Sequence, residues 1–289
     1  TDDRTYLGVA LDDFAGDLVG LDDMLAFHAY GVDALLNKSA HGNGVTLVPK
    51  LDWSTFSSNG LDLSAAKAAL NATSLGGLTA SVDLAVDGAV ALNVLNGVLV
   101  AKGDFAIALG QVKSAALPSG DQQDADAMTL SLSNVGVFVG VGGTLNANGT
   151  PSDYSNDTVG NGTLGFGATV GKLTLVSIKD RGANAALKTD DRTYLGVALD
   201  DFAGDLAGLD DVLAFHAYGV DAVLNKAAHG DGVTPVGKLD WSTFSNGGLD
   251  LSAAKAALNG TSLGALTTGV DLAVDGAVAL NVLNGVLVA

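Results

Sequence analysis

Several residue types that most proteins use are missing from this sequence. The chain has no cysteine, which excludes a disulfide-stapled scaffold and leaves the redox compartment open. All 32 acidic residues are aspartate, so glutamate is absent. Because glutamate is a good helix former and aspartate prefers caps and turns, this absence disfavours a helical protein.

Glycine and aspartate stand out among the residues that are present. The 39 glycines, set against only four prolines, are typical of a chain that turns often through open backbone conformations. The net charge of −18 argues against a nucleic-acid partner, because phosphate groups would be repelled. It favours bound cations or a calcium-bearing medium; the alternative is that the charge only keeps an apolar-rich chain in solution.

The sequence contains a long internal repeat. Residues 1–101 return as residues 189–289, and only 13 of the 101 aligned positions differ. We therefore divide the chain into one complete unit, residues 1–188, and the first half of the next unit, residues 189–289. No initiator methionine precedes Thr1, so we expect the parent protein to be longer. Near-identical tandem units are typical of stalks, sheaths and fibres, which extend by stacking; a recent duplication of an ordinary domain is the alternative.

Alternation of apolar and polar residues predicts β-structure. Even positions from Val82 to Val100 are mostly apolar, while odd positions carry aspartate, alanine and asparagine. A period of two that continues this long indicates strands. The apolar parity flips at Lys102–Gly103, near Asn134 and near Gly171, where a turn or bulge would reset the face.

The predicted fold class is all-β. No helical spacer is long enough for a βαβ unit, which leaves a β-solenoid-like tandem repeat or, alternatively, tandem β-sandwich or jelly-roll domains. The junction at residues 179–182 has no proline-rich linker, which favours the solenoid. Residues 24–36 are predicted as a strand, and the alanine-rich residues 64–70 as one or two helical turns capped by Ser64.

The sequence offers no catalytic constellation. The four histidines reduce to two repeated positions, His28 with His216 and His41 with His229, and neither lies in a metal-spaced pair. We interpret His28 as packed in or beside the core and His41 as part of a turn. Without cysteine or glutamate, a zinc or hydrolytic site has few possible members. The chain is therefore predicted not to be an enzyme.

Paired aspartates recur at ten-residue intervals. If ten residues make one strand and its corner, the carboxylates gather on one edge of the sheet, where like charges repel. Calcium, a hard cation that prefers oxygen ligands, would relieve this repulsion. The spacing therefore predicts a calcium site, with exposed turn aspartates as the alternative. The candidate ligands are Asp12, Asp13, Asp22, Asp23, Asp200, Asp201, Asp210 and Asp211.

Three segments resemble the repeats of a known class of protein. Residues 130–142 read LSLSNVGVFVGVG, residues 164–168 read LGFGA and residues 98–106 read VLVAKGDFA. They are similar to repeats of giant bacterial cell-surface proteins of the type that carry LEPR-XLL signals. The resemblance implies surface display and a structural or adhesive role, and it supplies no catalytic residues. In that family an aspartate-rich calcium loop often follows a segment such as FVGVG, which is residues 138–142 here. In this sequence the loop after that segment, residues 146–153, reads NANGTPSD.

Two functions follow from these patterns. We predict a structural repeat of an extracellular filament, sheath or stalk at the cell surface, with neighbouring repeats and like subunits as partners. The alternative is an adhesin repeat region that binds a surface ligand or a partner cell. Its one aromatic candidate is Trp53 with Phe56, repeated as Trp241 with Phe244, and we interpret this pair as a core anchor. No nucleic acid, transmembrane segment or cofactor other than calcium is expected.

Overall fold

The computed structural model describes residues 3–18, 21, 24–120, 125–150, 154–182, 187–283 and 285–288. Within these ranges more than half of the residues lie in strands and only two short α-helices occur, so the predicted all-β class is confirmed. The elements are β1 (Arg4–Leu18), β2 (Leu25–His41), α1 (Ser64–Leu70), β3 (Val82–Val94), β4 (Leu99–Lys113), β5 (Ala125–Val141), β6 (Thr144–Asn146), β7 (Thr158–Gly160), β8 (Leu164–Asp180), β9 (Arg192–Ala207), β10 (Leu213–His229), β11 (Gly247–Gly248), α2 (Ser252–Leu258), β12 (Leu272–Val282) and β13 (Leu287–Val288).

Most strands join one large antiparallel sheet. Its order is β1, β2, β3, β4, β5, β8, β9, β10, β12, β13, and β11 pairs with β4 beside this path. Strands β6 and β7 form a separate two-stranded hairpin. Spatial order follows chain order because each long strand turns back beside its predecessor, as antiparallel hairpins do.

The second unit continues the sheet of the first. Strands β9, β10 and β12 repeat β1, β2 and β3, and β9 pairs with β8, the last long strand of the first unit. The register repeats as well, since Leu36 lies opposite Leu84 just as Leu224 lies opposite Leu272. Each complete unit therefore contributes six long strands to the sheet, and the next unit adds the same strands in the same register.

Bulges at mid-strand account for two of the predicted parity flips. Between Ser133 and Gly136 strand β5 advances three residues while β4 advances two, and the extra residue, Asn134, has a left-handed φ of 52°. Gly171 of β8 lies opposite Asn134. Because both strands contain the inserted residue at this point, the pairing of β5 with β8 continues without a register shift. An inserted residue returns the apolar side chains to one face, which confirms the predicted resets at both positions.

The flip predicted at Lys102–Gly103 has a different cause. The chain turns earlier, at Leu95 and Asn96, whose φ angles are 51° and 50°. The long alternation is thus the hairpin of β3 and β4. Lys102–Gly103 pairs without interruption along β3, but its register against β5 shifts between Lys102 and Asp104, so the bulge beside this position adds its residue to β5. The apolar residues before and after the turn keep the same parity in the sequence, so alternation does not mark the turn.

Two local predictions concern the first unit. The strand predicted at residues 24–36 is part of β2, and the helical turns predicted at 64–70 are α1. The predicted Ser64 cap is wrong, because Leu63 precedes the helix and no side chain caps it. Instead, the Ser64 N–H donates to the Asp62 carboxylate at 2.9 Å.

One face of the sheet, which we call the covered face, carries the core. Loops 42–81 and 230–271 cross it, and they pack on small sheet residues such as Gly196, where an added Cβ would lie 2.8 Å from Trp241 Cε2. The larger buried cluster joins sheet residues Val112, Ala125, Ala127, Val176, Ile178, Tyr194, Ala198 and Val223 to loop residues Leu239, Trp241, Phe244, Leu249, Leu251, Leu258 and Leu266.

The opposite face, which we call the open face, carries larger apolar side chains in rows across the sheet. None of the side chains in the row below belongs to either buried cluster. The fold therefore places the core on the side of the sheet that the two long loops cross. Following successive Cα partners gives the row Leu11, Ala34, Val86, Ile107, Leu130, Leu175, Val197, Leu224 and Leu272.

Candidate functional site

The predicted calcium ligands lie at two different levels of the sheet. Asp200 and Asp201 are in the middle of β9, and Asp210 and Asp211 follow its end. The six strand residues between the pairs span about 20 Å of extended chain, so the ten-residue spacing does not gather these four carboxylates on one edge. In the first unit, positions 12 and 13 are likewise at mid-strand in β1, and Asp22 and Asp23 lie outside the described residues.

No metal centre stands out in the part of the chain that the structure describes. There, no three histidine or aspartate side chains are grouped so that they could hold a metal ion. Two hydrogen bonds join loop residues 146–153 to the residues that follow: Asn148 Nδ2 donates to Asn156 O at 2.6 Å, and Asn156 Nδ2 donates to Thr150 Oγ1 at 2.7 Å. Residues 151–153 of that loop lie outside the described ranges, and calcium binding stays a prediction.

The second aspartate of each mid-strand pair is a bulge residue. Asp13 and Asp201 have left-handed φ angles of 50° and 54°, a conformation that aspartate tolerates better than most residues. Their N–H groups donate to the carboxylates of Asp33 and Asp221, at 2.7 and 2.9 Å. The doubled aspartate therefore marks a structural bulge, and the left-handed backbone explains part of the pattern without a cation.

Asp33 and Asp221 tether the long loops to the sheet. Both are buried, each with 7 % of its surface exposed. Asp33 accepts hydrogen bonds from the hydroxyl and N–H of Ser74, and Asp221 accepts the same pair from Ser262. The serine hydroxyl is the main cause that lowers the pKa of each carboxyl, followed by the N–H of the bulge aspartate. These acceptors stay ionised at neutral pH, and they hold loop, bulge and strand together.

A carboxyl beside each of these two aspartates has its pKa shifted in the opposite direction. Asp87 lies directly opposite Asp33 in the sheet, and burial, with the charge of Asp33 second, raises the pKa of Asp87. Burial also raises the pKa of Asp200, followed by the charge of Asp221. In each pair one carboxyl is therefore held ionised while the other is more easily protonated.

A buried amide joins each loop to the sheet a second time. Asn225 is fully buried; its Nδ2 donates to Leu239 O at 2.8 Å and Thr267 O at 2.9 Å, and its Oδ1 accepts from Trp241 Nε1 at 3.1 Å. The first unit repeats all three bonds around Asn37. Trp241 also meets the Phe244 ring edge-on at 5.7 Å. Trp241 and Phe244 thus belong to the buried core, as the core-anchor interpretation expected, whereas Trp53 and Phe56 are only partly buried.

The histidines form ion-pair contacts on the sheet. His28 Nδ1 lies 2.8 Å from Asp17 Oδ1, and His216 Nδ1 lies 2.6 Å from Asp205 Oδ1. The side chain of His28 is 15 % exposed, in keeping with a position beside the core. His41, which we placed in a turn, is the last residue of β2 and the first residue of the turn that follows, since its O accepts from the Gly44 N–H at 2.8 Å.

A cavity of about 630 Å³ lies on the covered face beneath the β6–β7 hairpin. Lys102 lines it and fixes the chain at the hairpin, since its Nζ donates to Ser155 O at 2.6 Å and to Asp157 O at 2.8 Å. Other lining groups include Asn161, Thr169 and Asp205. The cavity is polar and open, and its one lysine is already used to hold the hairpin in place.

The most extensive candidate site is the unit junction, where loop residues 245–251 of the second unit dock on residues 110–114 of the first. Strand β11 of the loop pairs with the end of β4. The Leu249 N–H donates to Gln111 O at 2.8 Å, and Ser114 Oγ donates to Ser245 O at 2.5 Å. The Leu249 side chain lies over Gly110, where an added Cβ would be 3.3 Å from Leu249 Cδ1. Residues of both units are therefore buried together.

The same segment is exposed in the first unit. Residues 61–71 and 249–259 have identical sequences, yet Leu61 is 77 % exposed and Leu249 only 5 %. Trp53 is likewise only partly buried, whereas Trp241 is 1 % exposed. The docking segment itself differs at two positions, Asn246 and Gly247 replacing Ser58 and Asn59. Beneath the segment the two copies also differ: β4 and β5 lie under the second loop, and no strand of the described chain takes their place under the first.

Comparison with known proteins gives no further guide to this site. No family model, no curated protein and no solved structure matches the chain. The described helices are α1 and α2, of seven residues each, and neither is long and apolar enough to cross a membrane.

Proposed function

We propose that this chain is a structural repeat of an extracellular filament, sheath or stalk, in which near-identical β units extend one continuous sheet. The single observation that carries the proposal is the unit junction, where a segment exposed in one copy is buried against the preceding unit in the next. An ordinary duplicated domain has no need to bury its loop on its neighbour. A repeat array depends on such contacts between adjacent units.

The sheet itself supports stacking over separate domains. Strand β9 pairs with β8 along its whole length, from Gly165 opposite Ala207 to Asp180 opposite Arg192. Tandem β-sandwich domains would instead each close their own sheets and meet at a linker. Of the two architectures considered, we therefore favour the solenoid-like one, in a form where each turn of the stack is an antiparallel hairpin.

A structural role also fits what the units repeat. The features reproduced in both copies are tethers, namely the Asp–Ser and Asn–Trp contacts between loop and sheet, and they join parts of the fold rather than face a ligand. Placement at a cell surface rests on the resemblance to giant bacterial surface proteins. The adhesin alternative lacks a specific observation in its favour, because its aromatic pair packs beneath the loop.

The length of the particle as a function of unit number tests the proposal. Chains with one and a half, two and a half and three and a half units are compared by small-angle X-ray scattering and electron microscopy. Six strands spaced about 4.8 Å apart should add about 29 Å of length for each unit. A maximum dimension that grows only as the cube root of chain length would show that the units pack as a globule and would refute the filament.

A further inference from the structure

The open face of the sheet is a continuous apolar surface made of several rows of side chains. Residues that are Cα partners on adjacent strands point to the same side. Besides the row through Leu130, the next row towards the bulges runs through Leu132, Leu173, Leu199, Ala222 and Val274. Neither row contains a polar or charged residue over the strands where its register is given.

Charged residues appear on this face only towards one end of the strands. The row through Val9 and Leu36 ends at Lys226 in β10, and the row beyond it contains Lys38 and Lys179. Side chains near the ends of the strands and sheet edges are strongly exposed, with Leu272 at 64 %, Val274 at 60 % and Val139 at 52 %. Asp126 pairs with Lys179 in the same outer row, so among the described residues the charges on this face lie at one end of the strands. The central rows of two such faces can therefore meet without bringing charged side chains together.

The size of the face can be compared with what a stable dimer requires. Nine strands spaced about 4.8 Å apart and five rows spaced about 6.6 Å apart give roughly 40 by 30 Å, or about 1,200 Å² on each copy. Two copies would bury about 2,400 Å² in total, which exceeds the roughly 1,600 Å² of a standard specific interface. Exposed apolar patches on monomeric proteins rarely exceed a few hundred Å².

We propose that the open face pairs with the open face of a second copy of this chain, so that two single sheets form one two-layered structure. A two-fold axis between two copies would place the same apolar rows on both sides of the contact. Aligned sheets pack about 10 Å apart with interleaved side chains. The edge-to-edge growth of the proposed function and this face-to-face pairing use different surfaces, so either can fail without the other.

The absence of cysteine allows a direct test with single-cysteine variants of the full chain. Leu130→Cys places a thiol at the centre of the open face, and Val45→Cys places one in a loop where the native residue is 84 % exposed. We expect the thiol at 130 to react with a water-soluble maleimide at least about tenfold more slowly at high than at low protein concentration, as mass action requires for a dimer. The thiol at 45 should react at the same rate throughout.

Association is measured in parallel by sedimentation velocity. The native chain should be a dimer at high concentration, and Leu130→Lys should dissociate at least about tenfold more readily, because a buried unpaired ammonium is costly. Val45→Lys is the matched control and should leave the dimer intact. If Leu130→Lys fails to fold, the labelling rates at 130 and 45 still decide the question.

Two results would overturn the proposal. One is a chain that stays monomeric at all concentrations while the thiols at 130 and 45 react equally fast. The other is a thiol at 130 that becomes protected only when phosphatidylcholine vesicles are added, which would identify a lipid surface as the occupant of the face.

Discussion

The unit junction makes a sharp prediction, because the chain contains the same leucine in two contexts. Leu249 is 5 % exposed and packs on β4, while Leu61, in an identical local sequence, is 77 % exposed. A buried Leu→Ala change removes the transfer free energy of the lost methyl groups and leaves a cavity, at a cost of about 2–5 kcal/mol. Surface changes usually stay within about 0.5 kcal/mol. We therefore expect Leu249→Ala to lower the free energy of unfolding by about 2–4 kcal/mol and Leu61→Ala to leave it almost unchanged.

Urea unfolding, followed by tryptophan fluorescence, compares the two variants with the native chain. Amide hydrogen exchange then locates the effect, since the Leu249 N–H that donates to Gln111 O should exchange faster in variants that loosen the junction. Exchange at the equivalent Leu61 N–H serves as the internal control. Equal losses of stability in Leu249→Ala and Leu61→Ala would mean that the burial difference between the units does not exist in solution. The inferred contact between the units would then be refuted.

Three further predictions concern the tethers and cations. Asn225→Ala should destabilise the second unit by about 3 kcal/mol or more, because it leaves two carbonyls and an indole N–H unpaired at about 1–3 kcal/mol each. Asn37→Ala should cost less beside a partly exposed tryptophan, and differential scanning calorimetry compares the two variants. Ser74→Ala should raise the pKa of Asp33, because the Ser74 hydroxyl is the main group that lowers it. The ionised Asp33 carboxyl stabilises the fold above its unfolded pKa, and this stabilisation is lost as pH falls through its lowered folded pKa. The variant should therefore unfold at a higher pH during acid titration, and carboxyl NMR titration of Asp33 measures the pKa directly. Calcium should raise the melting temperature, and Asp→Asn changes at positions 12, 13, 22 and 23 should remove most of that rise. If a chelator leaves the melting curve unchanged, the aspartate spacing reflects bulges and turns and not a calcium site.

Local features were predictable from sequence because their causes are local. The period of two gave the strands, and the parity flips near Asn134 and Gly171 marked bulges, since one inserted residue must shift the alternation. The alanine-rich segment 64–70 gave α1. The turn at Leu95–Asn96 escaped detection because the apolar residues on its two sides keep the same parity, so alternation alone carries no trace of it.

Long-range features were not predictable in the same way. Alternation shows that a strand has two unlike faces, but it does not tell which of them the loops will cover. The structure covers the face that has glycine where the tryptophan ring lies, since an added Cβ at Gly196 would be 2.8 Å from Trp241 Cε2. The strands are 15 to 17 residues long, well above the usual five or six. A ten-residue spacing therefore places one aspartate pair at mid-strand and the next beyond the strand end.

The two copies together indicate how stability is distributed in such an array. Since identical sequences at 61–71 and 249–259 differ in burial, part of the free energy of folding belongs to the contact between units rather than to either unit alone. In a one-dimensional array each internal unit gains this contact on both sides, and an end unit gains it on only one. The free energy of unfolding per unit should therefore rise as units are added and then level off. Fraying should begin at the first loop, where Leu61 has nothing beneath it.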